Sequence, residues 1–240
     1  MHLHTEAQPA TPATTHHQPD VRTYWRVVLA ILAPLPMLAK GVFYLLSPVD
    51  GDVGFGDSVA AFRDRPGLLG LLVALDAVFV VGLLPATLAV ALAARRGAPR
   101  LTAAGASVAF LGFLTGIALL GGILTPAVVT ARHGLDVEAM GKLDDALGTE
   151  PLLSVAGLLF VTGIVVGLGL LGAALWRSRA VPVGVGVALL VGGSTHPFLP
   201  GHVAQGIGLL VAAVGFAGAG LALLRLRNDE LDLPALRPSR

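Results

Sequence analysis

Long apolar runs separated by short polar segments organise this chain. Six of them, at about 24–46, 67–94, 101–124, 152–176, 181–199 and 203–224, approach or exceed the ~20 residues a helix needs to cross a bilayer. The pattern predicts an all-α integral membrane protein, a six-transmembrane-helix bundle built as three helical hairpins. It divides the chain into a disordered cytoplasmic tail (1–23), a transmembrane domain (24–226) and a second cytoplasmic tail (227–240). The first 23 residues are rich in Pro, Thr and His and lack an apolar core, so they do not read as a cleavable signal peptide.

Charge placement orients the bundle. The connections at 95–100 and 177–180 carry Arg95, Arg96, Arg100, Arg177 and Arg179 with no acid among them. Arg22 and Arg26 precede or open the first run, and Arg225, Arg227, Arg237 and Arg240 follow the last. The opposite loops, 47–66 and 125–151, mix Arg63, Arg65, Arg132 and Lys142 with nine acids. The positive-inside rule then places both termini in the cytoplasm of a cell membrane. Tyr24, Trp25 and Trp176 fall at the inner interface of this scheme, and Phe43 and Tyr44 near the outer one.

The outer loops carry a pattern of their own. Leu135, Ala139, Leu143 and Ala146 or Leu147 recur at helical spacing opposite Asp136, Glu138, Lys142, Asp144 and Asp145, which predicts a short amphipathic helix over 135–147. A second short helix is expected from an Asp57 cap through Phe62, ended by Pro66. Leu46-Ser47-Pro48 and Leu124-Thr125-Pro126 close the first and third runs alike, a faint echo that suits three hairpins. Gly112-x-x-x-Gly116 and Gly163-x-x-x-Gly167 set small residues on one helix face, for packing within the chain or for a homodimer through those faces.

Composition agrees with the bilayer as principal partner: 55% hydrophobic, 13% charged, mean hydropathy +0.80. A net charge of +1 argues against a nucleic-acid partner. Cysteine is absent, which excludes disulfides and thiolate chemistry. Arg outnumbers Lys heavily, and Ala, Gly, Val and Leu dominate, the usage of a high-GC bacterium and hence of a bacterial inner membrane.

Two ionisable residues stand well inside the runs, Lys40 and Asp76. An unpaired charge at mid-bilayer costs at least ~2.5–3.5 kcal/mol, so such residues face the bundle interior and find partners. Lys40 lies about seven residues from the outer end of the first run and Asp76 about nine from the outer start of the second, which brings them to similar depth. The expectation is an intramembrane charge pair, read either as a structural staple between two helices or as a proton- or ion-linked site. Pro34, Pro36 and Pro85 kink the same two helices.

The outer side holds His133, His196 and His202, which with neighbouring acids make a weak transition-metal set. Gly192-Gly193-Ser194-Thr195 interrupts the fifth run, and Thr195, His196, His202 and Gln205 form a candidate outer cavity there. His2, His4, His16 and His17 scatter along the N-terminal tail. No cofactor fingerprint or catalytic set is present, so no cofactor is expected and the reading leans away from an enzyme. What remains is a polytopic protein with a scaffold, assembly or regulatory role, or alternatively a small proton- or ion-linked permease with an outward cavity around Lys40, Asp76 and the irregular fifth span.

Overall fold

A computed structural model describes residues 20–50, 53–119 and 125–231. All regular structure among them is helical. The scattered N-terminal histidines, the ends of both tails and the last residues of the third apolar run lie outside the described residues. Among the described residues, five segments are long and apolar enough to cross a membrane by length and composition: Arg22–Leu46, Pro66–Ala94, Pro99–Ile117, Pro151–Ser178 and Gly201–Arg225. The fifth apolar run of the sequence is a shorter segment, Val183–Phe198.

The first segment is two helices, α1 (Arg22–Leu32) and α2 (Leu35–Leu46), broken at Ala33–Pro34 because Pro34 has no N–H to donate to the preceding turn. Helix α3 (Phe55–Arg63) follows, then the long α4 (Pro66–Ala94) with Pro85 inside it. Gly54 occupies the N-cap of α3 and Asp57 lies within its first turn, so Asp57 is not the cap that the sequence pattern suggested. Helix α5 (Pro99–Leu119) leads to α6 (Pro126–His133), closed by Gly134 at φ 64°, a left-handed conformation that glycine adopts without strain. Helix α7 (Val137–Thr149) is capped by the Asp136 carboxylate, which accepts from Ala139 N at 2.7 Å.

Helix α8 (Pro151–Thr162), a π turn at Gly163–Leu168 and α9 (Gly169–Ser178) form one continuous helical segment. Helix α10 (Val183–Thr195) runs through Gly192 and Gly193 without a break and ends in a 3-10 turn at His196–Phe198. The glycines expected to interrupt this helix instead pack it. A Cβ on Gly192 would lie 2.5 Å from Ala212 N, and one on Gly193 2.9 Å from Leu168 Cβ. Helix α11 (Gly201–Arg225) and the short α12 (Asn228–Leu231) are the last helices among the described residues.

Sequential segments pack side by side. α1–α2 touch α4, α4 touches α5, α5 touches α8–α9, α9 touches α10, and α10 touches α11. α11 returns to α1–α2 and closes the ring, with further contact to α4. The core is small-residue and aliphatic, with Ala33, Ala86, Ala89, Ala94, Ala109, Ala174, Ala212 and Ala219 fully enclosed. Large apolar side chains such as Val81, Leu111, Leu158, Ile207 and Leu221 point outward. A bundle with small residues inside and large aliphatic ones on its surface is arranged for lipid rather than water.

Backbone approach sets the crossings. Gly112 and Gly116 face the α8–π segment, and Gly163 and Gly167 face α5 in return; all four are buried. A Cβ on Gly112 would stand 2.5 Å from Leu159 O and 2.7 Å from Gly163 Cα. The two small-residue motifs thus engage each other within one chain. At the Pro34 break, Gly220 lets α11 close on Ala30, whose carbonyl has lost its usual donor; a Cβ there would lie 2.7 Å from that oxygen.

The two ends differ in chemistry. At one end gather the Arg-rich connections: Gly97 abuts Ser178, Arg96 pairs with Glu230 at 3.2 Å, and the Arg95 guanidinium donates to the Leu231 carbonyl. Asn228 Nδ2 donates to Asp20 Oδ2 at 2.6 Å, which ties the last helix to the first. At the other end sit α3, α6, α7 and the 196–200 turn. There Arg63 donates to Leu135 O at 3.0 Å and Thr130 O at 3.4 Å.

Two outcomes follow from this packing. Gly112→Ala should lower the detergent melting temperature by an amount equivalent to about 1–3 kcal/mol, since backbone lies on both sides of the added methyl. Gly157→Ala, with nothing within 4 Å, should be neutral or slightly stabilising in the same measurement. At the Arg-rich end, the Arg22 backbone N–H and then the Asn228 amide hold the Asp20 carboxyl below the usual carboxylate range. A lowered folded-state value means that the clamp is intact above the unfolded value and is lost as pH falls through the folded one. Amide hydrogen exchange across Asn228–Leu231 should accelerate in that acidic window, and the Asp20→Asn protein should show no such step.

Candidate functional site

Helices α2 and α4 bring Lys40 and Asp76 together. Gly82 of α4 seats against the Pro36 ring, 3.1 Å from where its Cβ would be. Lys40 lies four residues beyond Pro36, and Asp76 six before Gly82, so both stand about one to two turns from that crossing toward the α3–α6 end. On the far side of α2, Gly41 approaches α11, with a Cβ 3.2 Å from Gly206 O. That approach fixes the rotation of α2 and turns the neighbouring Lys40 toward α4. Lys40 Nζ donates to Asp76 Oδ1 at 2.5 Å, and the side chains are 18% and 9% exposed.

Aromatic rings complete the surroundings of the ammonium. Nζ is 4.0 Å from the Phe43 centroid and 5.3 Å from those of Tyr44 and Phe79. These lie within the ~6 Å over which a ring face attracts a cation. The sequence held a signal for this arrangement: Phe43 and Tyr44 follow Lys40 by three and four residues, and Phe79 follows Asp76 by three, all same-face spacings. Read alone, Phe43 and Tyr44 suggest only an interfacial belt.

The pair lines two half-enclosed cavities. One, of about 140 Å³, lies toward the loop-helix end among Phe43, Phe62, Leu69, Val73, Thr125 and Val128. The other, of about 200 Å³, lies among Tyr44, Phe79, Val80, Leu83, Gly116, Ile117, Phe160, Ile164 and His196. Lys40 and Asp76 line both. The second cavity abuts the π turn through Ile164, a local helix widening of a kind that recurs at functional sites.

Only part of the outer set expected from sequence meets here. His196 is buried, and its Nδ1 faces the carbonyls of Gly193 at 3.0 Å and Gly192 at 3.2 Å. Carbonyls only accept, so Nδ1 carries the proton, and Nε2 of the neutral ring is left as an acceptor. Thr195 is exposed and its hydroxyl turns back to Val191 O. Gln205 Nε2 donates to Leu199 O at 3.0 Å and so holds the turn. The His202 ring packs against Tyr44 at a tilt of 51°, with centroids 5.2 Å apart, while its Nδ1 lies 3.6 Å from Asp50 Oδ1. The same carboxylate oxygen accepts from His202 N at 3.2 Å and caps α11.

His133 sits exposed in the last turn of α6. Among the described residues no three His, Asp or Glu side chains are grouped as a metal centre requires, so His133, His196 and His202 do not converge on one ion. They belong to three separate elements.

The chain matches no family model, no curated protein and no solved structure. The fold and this site define an all-helical bundle with several membrane-length apolar helices and a charge pair that lines two half-enclosed cavities.

Removing one partner of the pair should leave the other charge without compensation. Lys40→Met and Asp76→Leu should each lose about 3–5 kcal/mol of stability, and the double variant should regain most of it. Thermal unfolding of the four proteins in one detergent measures the coupling; additive losses would mean that the two groups do not act on each other.

Proposed function

We propose that this is a non-enzymatic, six-span protein of the cytoplasmic membrane, with both termini inside, that works as a small permease with an outward-facing cavity. The observation that carries this reading is the shared wall: Lys40 and Asp76 line both the 140 Å³ and the 200 Å³ cavity. A pair so placed acts as a partition. While closed it divides the vestibule under α3 and α6 from the chamber beside His196. When the ion pair exchanges partners, the two spaces join.

The arginine-rich end supports the inward orientation of the termini by the positive-inside rule. The short Val183–Phe198 segment supports a sixth crossing, because a helix below full bilayer length is accommodated by thinning of the bilayer around it. Pro34, Pro36 and Pro85 supply weak points in the two helices that carry the pair.

A second reading, a membrane scaffold or regulator, is favoured by α7. None of its residues is buried, and Leu143 and Leu147 are exposed on its apolar stripe. Such a face suits a protein partner or the membrane surface.

The natural absence of cysteine makes the decisive test clean, since each introduced thiol is the sole one. Val73→Cys, on the vestibule side, should react with a membrane-impermeant maleimide added outside. Val80→Cys, beyond the pair, should react at least about tenfold more slowly, which corresponds to an opening cost of only ~1.4 kcal/mol. Equal reactivity at both positions would remove the partition. No reaction at either, from either face, would leave the scaffold reading in its place.

A further inference from the structure

We infer that the Asp76 carboxylate and the rings of Phe43, Tyr44 and Phe79 form a binding site for a small primary alkylammonium, and that the Lys40 side chain is its tethered occupant. The inference rests on the cavity being a solute site and names the solute class. The ammonium of Lys40 makes one charge-assisted hydrogen bond, to Asp76 Oδ1. Its other described neighbours of opposite polarity are ring faces, at 4.0, 5.3 and 5.3 Å. One carboxylate and three aromatic faces suit a soft organic cation. They do not suit Na⁺, Mg²⁺ or Ca²⁺, hard ions that require several oxygen ligands to replace their water.

The cavity beside the pair supplies the rest of the recognition. It is predominantly aliphatic and aromatic, which suits an alkyl tail. Its volume of about 200 Å³ is below the ~300 Å³ at which sites for drug-sized molecules begin, so the ligand is small. His196 offers Nε2 as a neutral acceptor on the same cavity, because Nδ1 is occupied by the Gly192 and Gly193 carbonyls. An ammonium arriving there can exchange with Lys40 for Asp76 without leaving the carboxylate uncompensated at any stage. That exchange is also what would let the partition open: a free cation takes the place of the tethered one at the Asp76 carboxylate.

The test is chemical rescue. Lys40→Ala deletes the atoms of n-propylammonium from the site. In detergent at constant ionic strength, n-propylammonium chloride should raise the melting temperature of Lys40→Ala by about 2–4 °C and saturate, whereas NaCl should not. Wild type, whose tether holds the site, should respond only at much higher concentration. Lys40→Ala/Asp76→Asn should not respond at all. A response to propylammonium no larger than to NaCl, or one that survives loss of Asp76, overturns the proposal. If Lys40→Ala yields no folded protein, equilibrium binding of radiolabelled propylammonium to wild type, carried to concentrations high enough to compete with the tether, decides: saturable competing binding abolished by Asp76→Asn upholds the site, and its absence at those concentrations overturns it. The rescue reads occupancy alone, so the site can hold while the thiol-accessibility result fails, and the reverse; the two readings fall separately.

Discussion

Close approach of helix backbones is the constraint on which the rest of this structure depends. Lipid tails are as apolar as leucine side chains, so the bundle cannot be held by moving aliphatic surface out of water. It is held by dense packing, and that requires helices to touch where neither carries a bulky Cβ. The glycine contacts at 41–206, 82–36, 112–163, 172–190, 192–208 and 220–30 place at least one at five of the six junctions around the ring of helices. Each such contact fixes not only a distance but the rotation of both helices. Other large side chains stand on the outer surface, where Val81 is 72% exposed and Leu158 67%.

The charge pair is a consequence of those rotations. Pro36 against Gly82 sets the depth at which α2 crosses α4, and Gly41 against Gly206 turns α2 so that Lys40 faces inward. Once there, the two charges have little choice. A lone ammonium or carboxylate so far from water is expensive, while the pair with its aromatic neighbours is tolerable. A hydrophobic pair of similar volume would serve stability as well or better. Retaining two charges beside two cavities is therefore easier to understand as chemistry than as packing.

Irregular backbone concentrates around the same region. The Pro34 break, Pro85, the π turn at Gly163–Leu168 and the 3-10 turn at His196–Phe198 lie in the helices that line or adjoin the larger cavity. Each leaves backbone groups outside the regular ladder, and the structure answers some of them locally. The His196 imidazole takes the carbonyls of Gly192 and Gly193. Ser194 and Thr195 hydroxyls return to the carbonyls of Leu190 and Val191. This is how non-helical geometry survives at membrane depth, where water cannot supply the missing partners.

The sequence by itself determined properties that run along the helix axis. Apolar length defined the membrane-length segments, arginine asymmetry separated the two ends, and a rise of ~1.5 Å per residue brought Lys40 and Asp76 to one depth. These are local or additive properties, legible in one dimension. Azimuth is different. That Gly112 and Gly163 face each other, that Gly192 and Gly193 pack a helix rather than break it, and that His196 joins the charge pair's cavity while His133, Thr195, His202 and Gln205 do not, depend on which helix lies beside which. So does the ring of aromatics around Lys40, although its same-face spacings could be read in advance. Only the tertiary structure decided those points, because the rotation of each helix is set by packing with partners distant in the chain, and no residue's own neighbours specify it.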